Sequence, residues 1–352
     1  MTKDSPLVSV IVPNYNHDQF LKQRLESIEK QTYKNIELIL LDDCSTDNSQ
    51  QILKEWVWNR PNIRLVINEN NSGSPFAQWN KGMLHARGEY VWIAESDDTC
   101  KPDFLDALVR ILEDNRDACL AFCQSILIDK DDNTLHSFNE HYRFVFKTDR
   151  WERDFCADAQ RECWQYMMLH NTIPNASAVL FRREDLNKVL PVDEDFKLNG
   201  DWYFYVRLLS ESQKFCFTAQ PLNYFRYHSQ TQRVSARNKT HAFFEIIRIQ
   251  NFIYKKFPFA TDQFVQARRK CAYWWIGNVN GTSLLKKELL KEHLRLYRHF
   301  SPYFKYFWWR IVWHFIYISI RRVLKFMGLI KPIKRLRTKI FPGKYFEPEL
   351  PE

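Results

Sequence analysis

Glycine is scarce in this chain, eight residues in 352, and none follows the first apolar segment, where PNYNHDQF stands instead. A sugar nucleotidyltransferase would want a glycine-rich phosphate loop with Lys or Arg at that place, since backbone without Cβ lets N–H groups close on a phosphate. That class is therefore disfavoured. Paired cysteines are lacking too. Cys44, Cys100, Cys119, Cys123, Cys156, Cys163, Cys216 and Cys271 show neither the C-x-x-C spacing of a zinc site nor the density of a secreted scaffold. Reduced thiols in a cytosolic compartment are the expectation. A long apolar run is missing as well. The start, MTKDSPLVSVIVPNYN, opens on charge and its short apolar run breaks at Pro13, which fits a buried strand better than a signal peptide or a membrane anchor. The last absence is of acid: residues 301–345 hold eleven Lys or Arg and no Asp or Glu. The formal charge of +9 thus belongs to that segment, while residues 1–300 are close to neutral. No nucleic-acid partner is expected for the globular body; a polyanionic surface near the C-terminus is.

What is abundant is hydrophobic content, 45%, and aromatic content, 16%. The first suffices for a sizeable core, and the second favours interfaces, membrane ones included. Apolar, β-branched runs at 7–12, 36–41, 63–67 and 90–94 alternate with helical patterns near 20–30, 45–58 and 76–86, and this rhythm predicts a mainly parallel sheet covered by helices. Ligands of such sheets bind where the strands end in loops. Four polar clusters fall at those ends: Asn14-Tyr15-Asn16, Asp42-Asp43, Asn68 to Ser74, and Glu95-Ser96-Asp97-Asp98. Beyond them come a helix near 102–113, a strand near 118–128, a polar stretch over 129–149 that reads as a mobile insertion, a helical segment near 161–169, a strand near 176–181 and a helix opening at Gly200-Asp201-Trp202.

Glu95, Asp97 and Asp98 place three carboxylates in four residues directly after an apolar strand. Carboxylate oxygen is what Mg2+ and Mn2+ take, and a divalent cation offsets charge on a departing diphosphate. An acidic first turn before the next helix, favoured by the helix dipole, explains the cluster equally well when it stands alone.

Its company decides otherwise. VSVIVPNYN, LLDDCSTDNS, NSGSPFAQWNKGM and ARGEYVWIAESDD, in that order, closely resemble the motifs of the family 2 glycosyltransferases, inverting enzymes of the GT-A fold, over about residues 6–235. The resemblance implies that Pro13, Tyr15 and Asp43 lie around the nucleotide base, with Asp43 accepting from its N–H. A uracil donor fits, and a purine or cytosine is left open. It implies that Asp97 and Asp98 form the D-x-D-type element, one toward the ribose and one toward the metal. Glu95 stands where the first Asp is usual, so the division among the three acids stays open. Asn71, Gly73 and Asn80 are placed near the nucleotide or in a purely structural turn. Asp201 in LNGDWYFY matches the general base that takes the acceptor's proton, with Glu194 and Asp195 as rivals and a helix cap as the structural alternative. Trp202 and Tyr203 fit core packing better than sugar stacking. In YFRYHSQTQRVS, His228 stands as metal ligand, phosphate donor or structural histidine, with Arg226 or Arg233 as phosphate partners. A Q-x-x-R-W element is absent, so one sugar per encounter is expected.

The expected product is an α/β GT-A domain over 1–240, with a nucleotide-binding half to about 115 and an acceptor-side half after it. A helical extension over 241–300 and a basic aromatic tail over 301–352 follow. In that tail Arg310, His314, Tyr317, Arg321 and Lys325 form one polar helical stripe, which fits a helix lying on anionic lipid through 303–345 or one packed on the domain. The implied cofactor is Mn2+ or Mg2+. The implied substrates are a nucleotide-sugar, UDP-linked for preference, and a glycan or lipid-linked acceptor. The expected location is cytoplasmic, peripheral at the inner face of a bacterial cell membrane. A catalytically inactive sugar-nucleotide-binding or scaffold protein is the rival reading, and the intact Asp43, Asp97, Asp98 and Asp201 weigh against it.

Overall fold

Val8–Asn14, strand β1, is buried along its whole length, because a strand covered on both faces needs apolar residues at every position rather than at alternate ones. It lies between β2 (Ile36–Asp42) and β4 (Tyr90–Ile93), parallel to both, and β3 (Ile63–Ile67) continues the parallel series beyond β2. The register sets Val8 opposite Ile36 and Tyr90, and Asn14 opposite Asp42. Helices α1 (Asp18–Glu29), α2 (Ser49–Val57) and α3 (Pro75–His85) make the crossovers. Leu21, Leu25 and Ile28, spaced four and three along α1, are buried against Val8, Val10, Val12, Leu38 and Leu40, the pattern a core-facing helix requires. Pro75 opens α3, where its missing N–H costs nothing.

The computed structural model describes residues 5–60, 63–228, 240–278, 287–309 and 311–312. After β4 come β5 (Thr99–Cys100), α4 (Phe104–Asp114), β6 (Ala118–Ile128), β7 (Thr134–Ser137), α5 (Phe138–Phe146), β8 (Phe155–Asp158), α6 (Ala159–Glu162), β9 (Val179–Arg182), α7 (Arg183–Leu186), α8 (Gly200–Ser210) and β10 (Lys214–Arg226). The sheet runs β3-β2-β1-β4-β9-β6-β10-β5, with β7 added to β6 and β8 to β10. β9 is antiparallel to both β4 and β6, whereas β6 and β10 are parallel. The architecture is the expected α/β one, with a mixed central sheet whose uninterrupted parallel series is its first four strands.

Two expectations are corrected. The stretch 129–149 is not an irregular insertion: β7 pairs with β6, and α5 buries Tyr142, whose ring stacks on Trp151 at 4.6 Å and whose hydroxyl donates to Thr172 O. Phe138, Tyr142, Val145 and Phe146 do recur at helical spacing, but the charged and polar residues between them and on either side make the stretch read as a loop. The thiols are not all reduced either. Cys156 on β8 and Cys216 on β10 face each other across the antiparallel pair and form a disulfide, while the other six cysteines are free. Sixty residues of sequence separate the two, so nothing local announces the pairing.

Contacts divide the chain into residues 1–270 and 271–352. The first unit ends with α9 (His241–Lys256) and most of α10 (Thr261–Asn278). In the second, Trp275 donates to His293 Nδ1 of α11 (Lys287–Phe300) and packs on Phe300 and Phe307. Among the described residues no helix is long and apolar enough to cross a membrane. The polar stripe Arg310, His314, Tyr317, Arg321 and Lys325 lies outside the described residues, as does Arg233.

Candidate active site

The ends of the parallel strands are tied to one another by side chains. Asn14, closing β1, donates from Nδ2 to Asp42 Oδ1 at 2.9 Å and to Ser45 Oγ at 3.2 Å. Pro13 is buried within β1, and Tyr15, the first residue beyond the strand, is exposed. Asp43 follows β2 and is almost fully buried. Its Oδ1 accepts from Asn68 Nδ2 (2.7 Å), the Ser72 backbone N–H (2.9 Å) and Gln78 Nε2 (2.8 Å), and its Oδ2 from Ser72 Oγ (2.7 Å). Asn71 donates to the Asp43 carbonyl and accepts from Gly73 N–H, where a φ of +66° suits glycine. The loop after β3 is thus folded around one carboxylate. The sequence pointed to Asp43, Asn71 and Gly73; Asn68, Ser72 and Gln78 were missed as the groups that aim it.

Helix α3 joins these strand ends through consecutive residues. Gln78 reaches Asp43, and its neighbour Trp79 donates from Nε1 to Glu95 Oε1 at 2.9 Å. Asn80, expected near the nucleotide or in a structural role, bonds to the segment before α8. It exchanges hydrogen bonds with the Val192 backbone, at 2.7 and 2.9 Å, and donates to Glu194 Oε1 at 2.7 Å. Phe76 packs so closely on Gly200 that a Cβ there would lie 2.4 Å from its ring.

The acid cluster follows β4 and its three carboxyls have separate fates. Glu95 is fixed at its backbone by Ser177 Oγ and Arg24 Nε. Burial, with the Asp97 charge adding to it, pushes its carboxyl up to about 8 against the Trp79 hydrogen bond. Asp98 faces inward, accepting from the Arg226 backbone N–H (2.9 Å) and Asn175 Nδ2 (2.6 Å); burial and then the Asp97 charge raise it to about 7. Burial pushes Asp97 up as well, but the hydrogen bond from His228 and the charges of His17 and His228 outweigh it and leave its carboxyl below the ordinary value. Of the three, Asp97 is the acid whose negative charge its surroundings favour.

Around that charge the structure gathers Asp97, His228 and His17. The His228 Nε2–Asp97 Oδ2 distance is 3.1 Å, and the ligand atoms of all three residues lie within 4.8 Å of one another. His17 Nδ1 lies 2.8 Å from Ser96 Oγ, and its ring meets that of His228 edge-on. Of the three residues the sequence offered as metal ligands, Asp97 and His228 belong to this set and the Asp98 carboxylate points elsewhere. His17 was missed, although PNYNHDQF places it at the end of β1 on the same edge. Arg226, expected to pair with phosphate, is instead spent within the protein. Its guanidinium donates to the Asp97 and Asp129 carbonyls and to Gln23 Oε1, and it pairs with Asp132.

Asp201 stands in the first turn of α8, its Oδ1 accepting from Trp202 N–H at 2.7 Å. Trp202 is buried and stacks on His170, and Tyr203 stacks on Phe196, which matches core packing rather than an open sugar platform. Of the rival acids, Glu194 is engaged by Asn80.

This geometry accompanies a match to a known family: the model described as Glycosyl transferase family 2 covers residues 9–190, from β1 through the acid cluster to the residue before Pro191. The chain belongs to the family 2 glycosyltransferases. An uncharacterized glycosyltransferase of Methanocaldococcus jannaschii is 29% identical over 239 residues, 67% of this chain and 76% of that protein. The glycosyltransferase GlyG of Streptococcus pneumoniae is 37% identical over 134 residues, 38% of this chain and 44% of GlyG. The putative teichuronic acid biosynthesis glycosyltransferase TuaG of Bacillus subtilis is 35% identical over 138 residues, 39% and 54% of the two chains. The matched part thus spans about half of GlyG and TuaG. Among solved structures, residues 1–349 of S. aureus TarS in complex with UDP-GlcNAc superpose with a TM-score of 0.63 at 20% identity, covering 84% of this family 2 glycosyltransferase and 81% of that chain. The mannosyltransferase PcManGT from Pyrobaculum calidifontis, in complex with GDP-Man and Mn2+, gives 0.52 at 19% identity, covering 91% and 88%. The fold is that of the GT-A glycosyltransferases.

Proposed function

We propose that this glycosyltransferase moves a hexosyl or N-acetylhexosaminyl group from a UDP-sugar to a hydroxyl of a glycan or lipid-linked glycan, by one inverting displacement. The observation that carries this reading is the His17–Asp97–His228 set at the strand ends, in the acid cluster whose Glu95 is tied through α3 to Asp43. A donor of this class needs a base site and a diphosphate site side by side, and Gln78 and Trp79 span the two. Asp43 Oδ2 has a second lone pair for a nucleobase N–H, with Pro13 and Tyr15 on the same edge. TarS and PcManGT, structures with UDP-GlcNAc and GDP-Man bound, support a nucleotide-sugar as donor.

One carboxylate with two imidazoles is a mixed oxygen and nitrogen donor set, which suits Mn2+ better than Mg2+, an ion that prefers oxygen throughout. When bound by Asp97, His228 and His17, such a cation supplies charge neutralisation at the diphosphate. Arg226 links Asp98 to Asp97, donating its backbone N–H to the Asp98 carboxylate and its Nε–H to the Asp97 carbonyl. Asp201 accepts the proton of the acceptor hydroxyl as its oxygen attacks the anomeric carbon and the bond to the diphosphate breaks.

We assign residues 1–115 to the nucleotide, 116–240 to the acceptor side, 241–300 to a helical extension and 301–352 to a basic aromatic tail. The tail holds the enzyme at the inner face of a membrane on anionic lipid through 303–345, in step with a role in polysaccharide assembly. The test is transfer from a panel of UDP-, GDP- and CDP-sugars to a membrane-glycan extract, with Mn2+, with Mg2+ and with a chelator. UDP-sugars with Mn2+ should give the highest rate; transfer undiminished by the chelator would remove the metal from the reading. Deleting 303–345 should abolish sedimentation with anionic vesicles.

A further inference from the structure

Helix α9 lies outside the span that matches the family model, yet one of its side chains reaches the approach to Asp201. The Glu245 carboxylate accepts three successive backbone N–H groups, from Lys197 at 2.6 Å, Leu198 at 3.2 Å and Asn199 at 2.9 Å, and a fourth hydrogen bond from Asn199 Nδ2 at 3.0 Å. Three consecutive amides converging on one anion define a nest, a backbone conformation that a carboxylate locks. Asn199 is the N-cap of α8, but its side chain makes no capping bond there and turns to Glu245 instead. The start of α8 is therefore set by a residue forty-six positions away rather than by its own cap. Asp201 is the second residue of that helix.

The rest of the segment is held from two sides. On α3, Asn80 fixes Val192 and Phe76 packs on Gly200; on α9, Arg248 pairs with Asp193 at 2.5 Å and covers the rings of Phe196 and Tyr203. Between these anchors, residues 197–199 have Glu245 as their grip.

We propose that Glu245 is a positioning residue of the sugar transfer. By fixing the 197–199 turn it aims the Asp201 carboxylate, so that α9 completes the acceptor side of the site. This rests on the assignment of Asp201 as general base. Small displacements of a reacting group are costly, about a hundredfold for roughly 1 Å, whereas the freed amides lie at a part-exposed turn where water can take them.

The experiment is a cycle of Glu245→Ala, Asp201→Asn and the double variant. It reads UDP release from UDP-N-acetylglucosamine and UDP-glucose with Mn2+ and the membrane-glycan extract, together with amide hydrogen exchange. Glu245→Ala should lower kcat at least about tenfold while the KM for donor stays within about twofold, and should add nothing in the Asp201→Asn background. Glu245→Gln, which keeps one acceptor oxygen, should recover part of the loss and serves if the alanine variant fails to fold. The amides of 197–199 should exchange faster in Glu245→Ala, with those of 68–78 and 95–98 unchanged. A wild-type kcat, a loss that multiplies with that of Asp201→Asn, a parallel rise in donor KM, or unchanged exchange at 197–199 each overturns the proposal. Full activity of Asp201→Asn itself overturns the base assignment and this inference with it.

Discussion

Asp43 lies just beyond a strand and Asp201 in the first turn of a helix, and the two carboxylates are held in different ways. Asp43 is gripped directly: four hydrogen bonds reach its oxygens from residues 68 to 78, all in the loop and helix that follow the next strand. The segment leading to Asp201 is instead held through its backbone, by anchors on α3 and α9 that lie far away in sequence on either side. A site gripped by its own neighbourhood tolerates change elsewhere in the chain, whereas one aimed through the backbone inherits every disturbance of the helices that clamp it.

The largest effect should come from the acceptor side. Asp201→Asn keeps the shape of the first turn of α8 and removes the proton acceptor proposed above, so kcat should fall about 10²–10⁴-fold with UDP binding unchanged by calorimetry. Asp97→Asn should do the opposite, weakening Mn2+-dependent UDP binding at least about tenfold, because the carboxylate of the His17–Asp97–His228 set is lost; equal binding of UDP by this variant and wild type would refute the cation site. Gly200→Ala tests the clamp sterically. A Cβ 2.4 Å from the Phe76 ring must move α8 or α3, at about 1–3 kcal/mol of stability; thermal melting should register it, and kcat should fall further than UDP affinity does.

The smallest effect belongs to the opposite end of the parallel strands. Glu37 accepts from Ser9 Oγ, Arg87 N–H and Gly88 N–H and pairs with the Arg87 guanidinium. Burial pushes its carboxyl up, but the bonds from Ser9 and Arg87 outweigh this and leave it below the ordinary glutamate value. Such a group stabilises the fold above the unfolded glutamate's titration range, and its contribution is lost as pH falls through the folded value. Glu37→Gln should cost about 1 kcal/mol at neutral pH, measured by urea unfolding, with the difference shrinking toward acid and kcat unchanged.

Much of the first half of the sheet was legible because its signals are local. Runs dominated by apolar residues, with Ser9, Glu37 and Arg64 as single polar insertions, give β1 to β4, and four polar clusters mark their ends. The later strands were less so. The strand β10 is thirteen residues long but mixes Lys214, Gln220, Pro221 and Asn223 into its apolar run, and β7 and β8 are four residues each, too short for a period to show. Cys156 and Cys216 became partners through strand register alone.

The sequence by itself determined the order of the motifs, the α/β fold and the presence of carboxylates at a strand-end edge, since these follow from periodicity and residue chemistry within short windows. Only the tertiary structure decided that His17 joins Asp97 and His228, that Asp98 turns inward to Arg226, and that Glu245 sets the approach to Asp201. Those outcomes depend on which side chains meet across the sheet and between helices, where a displacement of a few ångströms separates an acid bonded into the core, as Asp98 is, from one gathered with two imidazoles, as Asp97 is.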